Sequence, residues 1–408
     1  MTGSASAPGR GARRFVEFLA LERNIVAVSG AMFLMGLGEE LWKRFLPKYL
    51  EVLGAPVLAI GLFGTARDFL DGVYQYPGGW VGDRYGRRSA LLLFVGLTAV
   101  GYATYLAAPA WPFVFVGLAL TMAWTSMASP TLFAVVGDAL PRGRRAMGFT
   151  VQSILRRVPI VIAPALGGVV IATYGVSIGV RVGVCVSLVM AGVTAWAVSH
   201  VRIAIAAHSS AVGIRGVWTA IPSTLRRLLA SDVFIRMGEG LTDVFLVLYA
   251  TNVVGVSAAQ FGVLVGVQMA TAILVYLPAA RVADRLGRKP FVIATFVAFA
   301  AFPVAVVTVS SLPGLALAFV IGGLREIGEP ARKALIVDLA EPHLRARSVG
   351  LYYLLRSLAI TPAAFLGGLL WDVAPHIPFY VAGAIGIAGT LLFALTVEEQ
   401  HVAHQPQR

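Results

Sequence analysis

Residues 79–88 read Gly79-Trp80-Val81-Gly82-Asp83-Arg84-Tyr85-Gly86-Arg87-Arg88, and residues 280–289 read Ala280-Arg281-Val282-Ala283-Asp284-Arg285-Leu286-Gly287-Arg288-Lys289. Each stretch closes one long apolar run and opens the next: 57–82 gives way to 89–108, and 257–281 to 290–310. Two helices joined by so short a turn need a glycine free to take positive φ, and Gly86 and Gly287 supply it. The arginines suit a turn held at lipid head groups, where positive charge gathers on the cytoplasmic side.

The composition around these turns excludes a soluble domain. Of 408 residues, 58% are hydrophobic and 13% charged, against about 45–50% and 25% in soluble proteins. Mean hydropathy is +0.81, too apolar for disorder. Windows of membrane-spanning length give twelve spans, at 24–50, 57–82, 89–108, 112–138, 148–172, 179–200, 233–254, 257–281, 290–310, 314–340, 348–371 and 378–396,. The expected fold class is therefore an all-α membrane protein.

Charge sets the orientation. The 33 Lys and Arg exceed the 20 Asp and Glu, and the arginines cluster in alternate connections, while the others carry essentially only Lys48. This bias places both termini in the cytoplasm and the protein in the plasma (inner) membrane, and it accounts for the net charge of +13 without nucleic acid,. Membrane lipids are the expected partners of the basic edge. The first 23 residues hold four arginines and no apolar core of signal-peptide length,. Cys185 is the single cysteine, so no intrachain disulfide is expected,.

The halves repeat at an offset of 200–201 residues. Gly38-Glu39 matches Gly238-Glu239, Asp83-Arg84 matches Asp284-Arg285, Asp138 matches Asp338, and Arg156 matches Arg356. This implies two pseudo-symmetric six-helix halves, 24–200 and 233–396, with the substrate site between them near the bilayer midplane. A cytoplasmic segment 1–23 precedes them and a tail 397–408 follows. The linker 201–232, with Arg215, Trp218, Arg226 and Arg227, reads as an amphipathic helix on the inner leaflet or as a plain tether,.

On these residues the chain resembles the major facilitator superfamily, whose G-x-x-x-D-R-x-G-R-[RK] loop matches Gly79 to Arg88. The second copy has Ala280 in place of the first glycine. The resemblance implies a twelve-helix secondary transporter working by alternating access. It implies gating roles for Gly79, Asp83, Arg84, Gly86, Arg87 and Arg88, and for Asp284, Arg285, Gly287 and Arg288. Asp83 would face the start of span 11 and Asp284 the start of span 5. Asp138 and Asp338 would pair with the loop arginines. In span 5, Ala163-Pro164-Ala165-Leu166-Gly167-Gly168 resembles the glycine-proline element of drug:proton antiporters, though Pro159 and Ala163 stand where that branch has glycines and span 4 lacks its arginine. Close helix packing explains Gly167-Gly168 equally well.

Ionisable residues inside spans mark where water or another charge must be met. They fall in spans 1, 2, 5, 7, 10 and 11 and outline a polar cavity. Spacing allows four pairs within single helices: Arg67 with Asp71, Arg325 with Glu329, Glu39 with Lys43, and Glu40 with Arg44. Glu239 and Asp243 lie one turn apart, and like charges in low dielectric favour sharing a proton. The proton-coupling candidates are accordingly Glu39, Asp71, Glu239, Asp243 and Glu329. Arg156 and Arg356, at matched positions with no acid one turn away, are expected on opposite walls of the cavity. With Arg67 and Arg325 they form the substrate-binding candidates, and a surplus of bases favours an anionic or amphiphilic solute.

No phosphate-binding G-x-x-x-x-G-K-[ST] loop, histidine cluster or metal-ligand spacing is present, which argues against an ATP-driven pump or an enzyme and implies no cofactor and no metal,. The expected partners are a small-molecule substrate and protons, and a monomer is expected to act. Proton-coupled efflux is the first reading and symport of an organic anion the second. A non-transporting receptor or lipid-binding protein on the same fold is the reading from another class.

If Asp83 biases one conformation, Asp83→Asn will leave membrane insertion intact and lower the transport rate, with a coupling of about 1–3 kcal/mol. Measured in proteoliposomes, an unchanged rate would leave Asp83 a topology signal only.

Overall fold

The computed structural model describes residues 23–129, 131–132, 145–200, 218–219, 221–339 and 345–397. Among them run twelve helical segments and no strand. In the first half, α1 is Arg23–Glu40 continued by Leu46–Val52, α2 is Val57–Tyr85 and α3 is Arg87–Ala107. Next come α4, Pro112–Met122 prolonged by Ala123–Met127, then α5, Arg145–Tyr174, and α6, Val176–Ser199. In the second half, α7 is Ser223–Thr242 extended to Val253, α8 is Ala258–Leu286 and α9 is Lys289–Thr308. Then follow α10, Leu312–Leu324 and Glu329–Leu339, α11, Arg345–Ile360 and Ala363–Val373, and α12, Ile377–Thr396. The α2/α3 and α8/α9 turns are made by Gly86 at φ 83° and Gly287 at φ 95°, a region costly for residues with a Cβ.

Helix α7 begins at Ser223, within the expected linker. Pro222 holds an extended backbone ahead of it, and Leu225 and Leu228 are fully buried in a cluster with Phe296 and Phe393 of α9 and α12. These turns therefore have an apolar partner inside the protein, and no lipid surface is needed to explain them. Residues 201–217 lie outside the described residues.

Length and apolarity sort the segments. α3, α5, α6, α8, α9, α11 and α12 each contain a stretch long and apolar enough to cross a membrane, while α1, α2, α7 and α10 are charged and α4 is a shorter apolar helix. Except for α2, which stays continuous, this second group also departs from regular helix. A 3₁₀ turn occupies Lys43–Phe45 in α1 and Asp243–Phe245 in α7. A π-turn occupies Ala123–Met127 in α4, and residues 325–328 break α10. Discontinuous membrane helices persist only where protein or a water-filled space satisfies the freed backbone groups.

The halves meet through α5 on α8 and α2 on α11. A Cβ on Gly168 would lie 2.4 Å from the Ala258 carbonyl oxygen, and one on Gly262 2.1 Å from that of Pro164, so the two backbones touch. Pro362 interrupts α11, and the Phe365 N–H left over donates to Thr65 Oγ1 of α2 at 3.0 Å, the usual way to satisfy an orphan helix donor. At the end opposite the Gly86 and Gly287 turns, Lys48 donates to Asn252, and the Asn252 amide donates to Glu51 at 2.7 Å.

Gly167 packs on α1 so closely that a Cβ would lie 1.7 Å from the Leu41 carbonyl oxygen, whereas one on Gly30 would meet nothing within 4 Å. Gly167→Ala is expected to destabilise by about 1–3 kcal/mol through overpacking. Gly30→Ala will be neutral or mildly stabilising, and thermal unfolding in detergent compares them directly.

Candidate functional site

The irregular helices surround a cavity of about 510 Å³ between the halves, within the usual range for small-molecule sites. Its acids, among the described residues, are Glu39, Asp68, Asp71, Glu239, Asp243 and Glu326, and its bases Lys43, Arg44, Arg67, Arg236 and Arg325. Acids and bases thus stand at six to five in the described lining, and the surplus of bases counted along the spans does not carry over to it. The bases counted along the spans include Arg332 and Arg356, which are engaged behind the cavity wall.

Among the described residues, two ion pairs cross between the halves. Arg67 of α2 donates to Asp243 of α7 at 3.0 Å and to Asp68 at 3.1 Å. Arg157 of α5 donates to Glu326 of α10 at 3.2 Å and lies 4.7 Å from the Tyr276 ring centroid on α8. Asp71 accepts from the Ser126 hydroxyl at 2.6 Å.

Of the four expected pairs within helices, only Glu40 with Arg44 forms, at 3.4 Å. Arg67 leaves Asp71 for Asp243, and Arg325 leaves Glu329 for Glu239 at 3.2 Å. Both expected pairs put the base N-terminal to the acid, the weaker helical order, and the break at 325–328 removes the second pair's helical geometry. The 3₁₀ turn likewise separates Glu39 from Lys43. Glu39 is buried and accepts from the Tyr102 hydroxyl at 2.9 Å, while Lys43 turns to Glu40 at 3.6 Å.

Glu239 and Asp243 do not face each other without cations. Glu239 accepts from Arg236 at 2.8 Å as well as from Arg325, and Asp243 holds Arg67. Glu329 lies between Arg236 at 2.7 Å and Arg332 at 2.8 Å. Neutralising Glu239 or Glu329 would therefore leave two guanidinium groups short of a partner. Arg325 and Arg236 also stack on Phe299, at 4.9 and 4.8 Å.

Behind this wall lies a residue the sequence reading placed in the linker. Asp232 is 1% exposed and binds Arg332 at 2.6 Å, Tyr352 at 3.0 Å and Arg356 at 3.4 Å. Arg356 therefore does not line the cavity and leaves the substrate-binding set. The matched side chain, Arg156, lies outside the described residues, as do the side chains of Asp83, Asp284 and Arg285 and the whole of Asp138. Of the turn residues, Arg87 is buried, Arg84 stacks on Trp80 at 5.1 Å, Gly79 lies within α2 and Arg88 in the first turn of α3, and Arg288 donates to Asp338. Asp232 carried no signal in the sequence, because the helix start at Ser223 that places it nine residues inside α7 is seen only in the structure.

Two similar six-helix halves closing on one charged cavity are the build of a membrane transporter. The Major Facilitator Superfamily model matches residues 28–235 and 228–408, and the chain belongs to that superfamily; it is an integral membrane protein. An uncharacterized MFS-type transporter of Methanocaldococcus jannaschii is 18% identical over 379 residues, covering 91% of this chain and 94% of the relative. The quinolone resistance protein NorA of Staphylococcus aureus is 24% identical over 166 residues, 40% of this chain and 42% of NorA. A solved POT family transporter in complex with a thioalcohol-conjugated peptide matches with a TM-score of 0.77 at 14% identity, covering 91% of this chain and 95% of that one. At that identity the likeness is one of fold.

Breaking a buried ion pair costs about 3–5 kcal/mol because one charge is left uncompensated. Asp232→Ala is expected to lower stability by that amount in thermal or denaturant unfolding. Glu51→Ala, which breaks the more exposed Lys48 pair, will cost less than about 1 kcal/mol.

Proposed function

We propose that this chain exports a small organic solute by alternating access, driven by proton antiport. The observation that carries the reading is the pair of salt bridges across the cavity, Arg67 to Asp243 and Arg157 to Glu326. Ion pairs that join the halves must open when the halves rock apart, so protonating one of them biases the exchange between states.

Asp243 is the coupling carboxylate in this reading. A proton on it weakens its hold on Arg67 and releases α2 from α7, while Arg67 keeps Asp68 as a partner and is never left alone. Glu239 and Glu329, each between two arginines, serve to hold the α7–α10 wall. The resemblance of α5 to drug:proton antiporters and the partial similarity to NorA support export. The arginine bias supports a cytoplasmic face at the Gly86 and Gly287 turns. The near balance of charges in the described cavity lining gives the organic-anion symporter no added support.

A substrate panel in proteoliposomes under imposed pH and Na⁺ gradients tests the reading as a whole. For a transported solute, Asp243→Asn will abolish accumulation driven by a pH difference and retain counterflow of labelled solute. A variant that still concentrates solute on a pH gradient alone would move the coupling site elsewhere.

A further inference from the structure

The cavity charges do not cancel pair by pair. On α1, Glu40 is the one carboxylate shared by Lys43 at 3.6 Å and Arg44 at 3.4 Å. Both cationic side chains stay open to the cavity, at 41% and 33% exposure, while Glu40 is 8% exposed. Glu39 of the same helix lines the cavity as well but is turned to the Tyr102 hydroxyl, so Lys43 and Arg44 meet in Glu40 a single carboxylate. On α2, Arg67 is shared by Asp68 and Asp243, and Asp71, one turn further on, holds only the Ser126 hydroxyl among the described residues. Asp71 therefore stands apart from the Arg67 cluster, in which two carboxylates already share one cation. Arg236 and Arg325 of the opposite wall are taken by Glu239 and covered by Phe299.

Asp71 is held by built structure. The π-turn at Ala123–Met127 inserts an extra residue into α4, a feature frequent at functional sites,. Buried Thr98 of α3 secures it: its hydroxyl donates to the Thr121 carbonyl at 3.3 Å and accepts the Trp124 N–H at 3.1 Å. The turn so held brings Ser126 to Asp71 and lets Thr125 line the cavity. Phe63, Leu118 and Met122 add apolar wall to the same space.

We infer that the cavity takes a zwitterionic solute, with its ammonium group on Asp71 and its carboxylate or similar anion on Lys43 and Arg44. The inference rests on the reading of this cavity as the transport site and names the substrate class. A solute of single charge would meet one pole and leave the other with only its partner in the wall, Glu40 or the Ser126 hydroxyl, and sites built for a polar group discriminate strongly against analogues lacking it,.

The test is direct binding to the purified full-length chain, followed by intrinsic tryptophan fluorescence or calorimetry, so that no gradient is required. Two matched sets differ in charge and in charge spacing: phenylalanine, phenethylamine and 3-phenylpropanoate; and 6-aminohexanoate, hexylamine and hexanoate. In at least one set the zwitterion will bind tenfold or more tighter than either counterpart. Asp71→Asn will reduce it to the level of the matching acid without changing the acid itself. Lys43→Met with Arg44→Met will reduce it to the level of the matching amine. An amine or an acid that equals the zwitterion in both sets, absence of binding by all six, or a zwitterion preference that survives Asp71→Asn overturns the inference. Counterflow of a singly charged solute with no zwitterion preference would leave transport standing and remove this substrate class. Selective zwitterion binding without counterflow of that zwitterion would do the reverse.

Discussion

A guanidinium group cannot discharge the cost of burial by losing its proton, and Arg332 is 1% exposed in the middle of the second half. Its compensation by Asp232 and Glu329 fixes three helices at once. Asp232 is on α7, Arg332 and Glu329 are on α10, and Tyr352 and Arg356 of α11 complete the shell. From Glu329 the alternation continues through Arg236 and Glu239 to Arg325 at the cavity. Acid and base succeed each other from the interior to the cavity wall, so no member can be neutralised without disturbing its neighbours.

The repeat that makes the halves alike in backbone does not make them alike in chemistry. At an offset of 200, Asp232, Arg236, Arg325 and Arg332 correspond to Met32, Gly36, Thr125 and Leu132. The matched 3₁₀ turns at 43–45 and 243–245 survive this divergence. The second half therefore presents a cross-linked charged wall, and the first half a wall of shared or hydroxyl-held charges in Lys43, Arg44, Asp68 and Asp71. A cross-linked wall thus faces one whose charges are shared or held by a hydroxyl. The two salt bridges across the cavity, Arg67 to Asp243 and Arg157 to Glu326, join these unlike walls and their neighbours.

Much of the fold was legible in the chain. Apolar runs of spanning length, glycines at two turns that require positive φ, and the half-chain repeat gave twelve helices in two halves, because bilayer thickness and backbone hydrogen bonding leave a membrane chain few options. The charged spans also pointed to α1, α2, α7 and α10 at the cavity, since those faces have no place in lipid, but not to α4 and α8, which line it with uncharged residues,. The start of α7 at Ser223 was not legible, because Leu225 and Leu228 look like the apolar side of a surface helix until Phe296 and Phe393 are seen beside them.

Only the tertiary structure decided which charge meets which. Sequence spacing compares partners on a single helix, and by that measure Arg67 belonged to Asp71 and Arg325 to Glu329. The fold sends Arg67 to Asp243 and Arg325 to Glu239 on another helix, ties Arg356 to Asp232 away from the cavity, and leaves Asp71 with a hydroxyl. The physical reason is that burial amplifies every nearby charge regardless of its place in the chain, while the breaks in α1 and α10 remove the regular spacing on which the single-helix reading depends. The sequence determined that charges had to be gathered between two helical halves, and the packing of those halves determined their pairing.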